Sequence, residues 1–266
     1  MAGKRILDWN VAIYGYAGLV ALLLIVPTLI VIPMSFSAGG LLTFPPTRFS
    51  IRWYGTLFDD PSWTAGLVTS LKVGVATAGL ATSLGTVTAL GLVRGRYPGR
   101  AAISGLVMSP LVTPVVVVAI GMFFVYSDWK LIGTFHGLVL AHTALALPLV
   151  VIVVGASLQN LDPALEVAAR SLGAGPVRTF LRITLPLTRP SIVTGALFAF
   201  ITSWDEVVVS IFLSSPVVRT LPVVMWGQVR SVIEPTIAAM ATVLTGVTFG
   251  LLMLVLLPRK RAQRIS

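Results

Sequence analysis

Six apolar runs constrain this chain more than anything else in it, each about 20 residues or longer, the length that carries a helix across a ~30 Å hydrocarbon core. They lie at about 11–34, 65–93, 102–126, 133–157, 190–213 and 236–257. Inside a bilayer every backbone N–H and C=O must be satisfied by protein, which restricts spanning structure to helices and closed barrels. Barrel strands are about 10 residues long and alternate in polarity; these runs are longer and uniformly apolar. The 266 residues are 56% hydrophobic and only 11% charged, more apolar surface than a soluble domain can cover. The expected fold is all-α: a polytopic membrane protein with six transmembrane helices, a single transmembrane domain over 1–266. Lys4 and Arg5 precede the first run as they would in a signal peptide. That run is long enough to span and no small-residue cleavage site follows it, so it reads as a retained helix.

Charge sets the orientation. The net charge is +10, with 19 basic and 9 acidic residues. With both termini cytoplasmic, the inner face carries Lys4, Arg5, Arg94, Arg96, Arg100, Arg170, Arg178, Arg182, Arg189, Arg259, Lys260, Arg261 and Arg264. The outer face then keeps Arg48, Arg52, Lys130, Arg219 and Arg230, and Lys72 stays inside a helix. This is the positive-inside distribution of a membrane protein, so the basic excess is topology and not a nucleic-acid footprint. Trp9 falls at the inner interface, and Trp53, Trp63, Trp129 and Trp226 fall at or near the outer one, as an aromatic belt requires. Residues 35–64 and 214–235 become external segments, while 94–101 and 158–189 become internal ones.

Familiar catalytic signatures are missing. There is no phosphate-binding Gly-x-x-x-x-Gly-Lys-Ser/Thr loop, no His-Glu-x-x-His and no Gly-x-Ser-x-Gly. With no cysteine there is neither a disulfide framework nor a thiolate metal site. His136 and His142 have no acidic neighbour in sequence and read as a helix-end and a helix-packing histidine. The chain is expected to be no enzyme, and no metal or cofactor is expected.

The polar stretch Leu158–Arg189 reads as two short helices joined by a tight turn. Asp162-Pro163 is a helix start, with an acceptor side chain at the N-cap and proline at the first helical position. Gly173 suits a left-handed C-cap. Gly175-Pro176 opens a second helix, which Leu185-Pro186 is expected to close. As a surface hairpin it would carry Ala164, Leu165, Ala168, Ala169 and Leu172 as an apolar stripe. The spacing Ala168-Ala169-x3-Gly173-x9-Ile183-x-Leu185-Pro186 resembles the "EAA loop" of permease subunits of ATP-binding-cassette importers. The resemblance implies a type I ABC importer permease fold in a bacterial inner membrane. It also implies a coupling helix seated in a cleft of a cytosolic ATPase, with Glu166, Val167, Ala168, Ala169, Ser171, Leu172, Gly173, Ile183 and Pro186 at that junction. Two copies of the ATPase, a second permease subunit and an external solute-binding protein would complete the system, cycled by ATP binding and hydrolysis. One position departs from the family pattern: its acid directly precedes the two alanines, where this chain has Val167, and Glu166 stands one residue earlier. A one-residue step turns a side chain by about 100° on a helix.

Further segments, among them Pro33-Met34-Ser35-Phe36-Ser37, Phe49-Ser50-Ile51-Arg52-Trp53-Tyr54, Pro110-Leu111-Val112-Thr113-Pro114, Asp205-Glu206-Val207-Val208-Val209 and Thr220-Leu221-Pro222, resemble the second permease subunit of the spermidine/putrescine type of importer. The substrate that resemblance implies is a polyamine. Other small solutes of the same subfamily, an amino acid derivative or an aminophosphonate, are the alternative, and an ion-coupled transporter or channel is the alternative of another class. Asp205 and Glu206 sit inside the fifth run, where charge is costly unless paired or solvated. Either they line a path for a cation, with Trp204 available to stack on an amine, or one of them pairs with Lys72 at similar depth. Pro110, Pro114, Gly121 and Pro148 are expected to interrupt their helices.

Overall fold

The computed structural model describes residues 2–231 and 233–256. Arg259, Lys260, Arg261 and Arg264 lie outside the described residues, as do the side chains of Lys4, Arg5 and Trp9. In chain order the helices are α1 (Ala2–Ser35), α2 (Arg52–Asp59), α3 (Pro61–Arg94), α4 (Arg100–Val112), α5 (Val115–Asp128), α6 (Phe135–Asn160), α7 (Pro163–Ser171), α8 (Pro176–Thr179), α9 (Leu185–Trp204), α10 (Val208–Leu213), α11 (Leu221–Ser231) and α12 (Pro235–Leu256). A π-helical turn, Phe180–Thr184, joins α8 to α9. Five spans are long and apolar enough to cross a membrane, and a sixth is made by α4 and α5 taken together. The all-α, six-span expectation therefore holds, with corrections inside two spans.

The third run is not one helix. α4 and α5 meet at an angle of 111°. Thr113 is extended there (φ −78°, ψ 134°) and Pro114 follows at φ −54°, ψ 128°, because a residue before proline is pushed out of the helical region. Pro110, by contrast, stays within α4. Its missing N–H strips the Leu106 carbonyl of its helical donor, and the Ser109 hydroxyl replaces it at 2.8 Å. Gly121 and Pro148 also lie inside unbroken helices.

The fifth run is likewise divided. α9 stops at Trp204, and Asp205-Glu206-Val207 separate it from the short α10. At the other end the helix does not close at Leu185-Pro186. The Leu185 N–H bonds to the Phe180 carbonyl, one residue beyond the α-helical register, and this π turn carries the chain past Pro186 into α9. One continuous span thus runs Pro176–Trp204, and the second half of the polar stretch is the foot of a membrane helix.

The contacts divide the chain into two compact units. In the unit formed by residues 62–226 with 248–256, α6 is the hub. It buries Leu138, Ala141 and Leu145 against α3, α5 and α10, and Ala146, Val150, Val154 and Leu158 against α3 and α9. Lipid tails are as apolar as leucine, so close contact drives this packing, and small residues permit it. A Cβ on Gly85 of α3 would lie 2.6 Å from Val150 Cγ1; only glycine lets the two helices come so near. The Leu221 N–H donates to Ser70 Oγ at 2.8 Å, tying α11 to α3.

In the unit formed by residues 2–61 with 227–247, the α1 window shows no buried residue. The chain after α1 folds back on itself. Ser37 bridges Phe49, Ser35 Oγ meets the Tyr54 hydroxyl at 2.7 Å, and Trp53 Nε1 donates to the Ser37 carbonyl at 2.7 Å. The two segments expected to be external loops therefore contain helices, α2 and α11.

Candidate coupling and translocation sites

α7 is capped at both ends by its own sequence. Asp162 accepts from the Ala164 N–H at 2.9 Å, and Pro163 occupies the first turn. At the other end the Gly173 N–H bonds the Arg170 carbonyl and the Ala174 N–H bonds the Ala169 carbonyl. These two bonds form a Schellman motif, and Gly173 supplies its left-handed residue at φ +85°. The result is a short rigid helix whose ends need no help from a neighbour.

Glu166 points inward. It is 6% exposed, and its Oε1 accepts from Thr184 Oγ1 at 3.0 Å. The same oxygen lies 3.4 Å from Arg94 Nε, and Oε2 lies 3.7 Å from Arg170. Arg94 also donates through its terminal nitrogen to the Leu161 carbonyl at 2.9 Å. One carboxylate thereby joins the end of α3, the π turn and α7. The neighbouring face is open: Leu165, Val167, Leu172 and Val177 are 46%, 58%, 89% and 71% exposed, and Ala168 and Ser171 are exposed with them. Ala169 and Ile183 are half-buried, and Gly173 and Pro186 exposed. The one-residue displacement of the acid has a structural meaning, since it puts the carboxylate inside and a valine outside. Arg94 and Thr184 were not legible as its partners, because they are distant in sequence and neither belongs to a spacing pattern.

The acids occupy the break between α9 and α10. Asp205 is exposed and Glu206 half-buried. Glu206 Oε1 accepts from the Val209 N–H at 2.8 Å, so it caps α10 as an acid caps any helix N-terminus. Lys72 is exposed, and Glu166 forms ion pairs with Arg94 and Arg170. The intramembrane bridge from Lys72 to either acid is not formed. Trp204 is 2% exposed and stacks on Phe200 with centroids 5.4 Å apart, which makes it a packing residue in this structure. Behind the break stands His142, fully buried on α6. Its Nδ1 is 2.7 Å from Ser203 Oγ and its Nε2 is 2.9 Å from Ser210 Oγ. A groove of about 680 Å³ between α3, α4 and α6, with Arg100, Ser104 and Gln159 among its lining, includes neither acid.

The six-span helical body thus carries a capped polar helix, α7, at the foot of one of its spans. The family described as binding-protein-dependent transport system inner membrane component matches residues 81–263. The chain belongs to this family. It is a multi-pass inner-membrane permease subunit, and not an enzyme. Among curated proteins it is 33% identical over 248 residues to the putrescine transport system permease protein PotI of Escherichia coli K12, covering 90% of this chain and 88% of that one. It is 32% identical to the spermidine/putrescine transport system permease protein PotC of Haemophilus influenzae, over 77% and 80% of the two chains. Among solved structures, a bacterial ABC transporter involved in import of the acidic polysaccharide alginate matches with a TM-score of 0.71 at 16% identity, over 97% of this permease and 98% of that chain. An amino acid ABC transporter matches with a TM-score of 0.60 at 21% identity, over 79% and 98%. These two likenesses establish the ABC importer permease fold.

Proposed function

We propose that this permease imports a polyamine, putrescine or spermidine, working with a second permease subunit, two copies of a cytosolic ATPase and an external solute-binding protein. Its relatives PotI and PotC, permease proteins of putrescine and spermidine/putrescine transport systems, support the substrate class. The observation that carries the cationic reading is the broken fifth span. An exposed Asp205 stands at the C-terminal end of the long helix α9, where the helix dipole is negative. Charge kept at membrane depth marks a solute path when no neighbouring side chain neutralises it, and among the described residues no cationic side chain is paired with Asp205. Glu206 contributes through its cap on α10, which holds the acidic turn. Trp204 and Lys72 have lesser parts: Trp204 packs the end of α9, and Lys72 tunes the local field without a direct bridge.

In this reading both termini are cytoplasmic and α7 is the coupling helix. Val167, Ala168, Ser171 and Leu172 meet the ATPase, and Gly173 fixes the helix end. Glu166, Ala169, Ile183 and Pro186 join α7 to the foot of α9, so that a push on α7 is felt in the span that bears Asp205. Uptake of radiolabelled putrescine by cells whose sole polyamine importer contains this chain tests the proposal. Asp205→Asn should lower uptake about tenfold or more while the complex still assembles, the effect expected when a charge-assisted contact of roughly 1.5–3 kcal/mol is lost. Unchanged uptake would remove Asp205 from the path, and uptake of an aminophosphonate in place of putrescine would overturn the substrate.

A further inference from the structure

We infer that His142 is a positioning residue for transport: its imidazole ties the end of α9 to the start of α10, and so fixes the turn that presents Asp205 to the solute. The inference rests on the reading of Asp205 as path-lining.

The geometry is specific. Ser203 lies in the last turn of α9, Ser210 lies in α10, and only Trp204 to Val209 separate them. Both hydroxyls converge on one ring, at 2.7 and 2.9 Å, from opposite sides of the break. An imidazole carrying one N–H donates at one nitrogen and accepts at the other, so one serine accepts while the other donates, and both ring nitrogens are used. His142, Ser203 and Ser210 are all buried, where a polar group left unpaired is penalised heavily. The break is thus held by this tie and by the Glu206 cap. A helix of six residues is too short to persist by its own hydrogen bonds. It needs such anchors, a further one being the Gly133 N–H on the Leu213 carbonyl at 2.8 Å.

The chain has no cysteine, so a single Val207→Cys reports on the turn in the assembled transporter. A permeant maleimide should label that cysteine about tenfold faster in the His142→Leu background, as expected when both hydroxyls lose their partner. The rate should stay near the parent's in His142→Gln, whose amide can still donate and accept. Ser203→Ala with Ser210→Ala removes the same tie from the other side and should match His142→Leu. That pair decides the matter if His142→Leu does not reach the membrane. Equal labelling in all backgrounds overturns the tie. Uptake then tests the positioning. His142→Leu should raise the KM for putrescine about tenfold in the parent and less than twofold in Asp205→Asn, while ATPase activity of the complex persists. An equal rise in both backgrounds overturns the positioning role. If Asp205→Asn alone leaves uptake unchanged, the path reading fails and the positioning claim falls with it, whereas the labelling still reports whether the tie exists.

Discussion

Glu166 and Val167 are adjacent and face opposite environments, 6% and 58% exposed. That contrast predicts opposite tolerances. Glu166→Ala takes the acceptor from the Thr184 hydroxyl and the counter-charge from the partly buried Arg94. Leaving a buried hydroxyl without its partner costs about 1–3 kcal/mol, and the exposed Arg170 adds little to that. The purified complex in detergent should therefore melt several degrees lower. Val167→Glu, which restores the family's acid at its usual position, adds a charge to an open face and should leave the melting temperature within a degree or so, because surface changes are usually within ±0.5 kcal/mol. A drop for Val167→Glu as large as that for Glu166→Ala would show that the two faces are assigned the wrong way round. The displaced acid was legible in the sequence as a departure. Its consequence was not, because the direction of a side chain on a nine-residue helix depends on what the helix leans against, here Arg94 and Thr184 from elsewhere in the chain.

Among the elements, α7 was the most legible and the two divided spans the least. Asp162-Pro163 and Gly173 are local signals, and local hydrogen bonds answer them. Since Gly173 adopts φ +85° with open space around the site of a Cβ, a substitution there tests backbone conformation and not crowding. Left-handed geometry costs an ordinary residue roughly 1–2 kcal/mol and costs asparagine less. Gly173→Ala should thus lower the amount of ATPase that copurifies with the permease, and Gly173→Asn should lower it less. Equal loss in both would mean that the glycine's small size, not its backbone freedom, is what the junction requires. The bends were harder to read because proline acts through its context. Pro114 breaks a span by forcing Thr113 out of the helical region, whereas Pro110, four residues away, is accommodated once the Ser109 hydroxyl takes the freed carbonyl. Pro186 is accommodated in another way, by a π turn that no residue pattern announced. The break at Asp205-Glu206 reads as two costly charges in a helix until the cap on Val209 and the His142 tie show how the chain ends one helix and begins another.

At the scale of the molecule, the apolar runs determined the number of spans, and charge asymmetry implies their direction. α1 exposes apolar residues between Val11 and Leu29, with Leu19, Leu23 and Leu24 at 63–70%. Such a surface calls for lipid or another helical subunit as its neighbour. Orientation can be measured directly in the cysteine-free chain. With the basic loops inside, Gly40→Cys should react with an impermeant maleimide in intact spheroplasts, and Leu172→Cys only after the membrane is opened. The second site carries the further test of assembly. Leu172 is 89% exposed in the isolated chain, so its cysteine should label rapidly in permease expressed without the ATPase and several-fold more slowly when the ATPase is present. Labelling at residue 172 from the outside would invert the topology and put α7 beyond the reach of any cytosolic motor. Labelling from the inside that ignores the ATPase would leave the topology standing and move the coupling surface away from this face of α7.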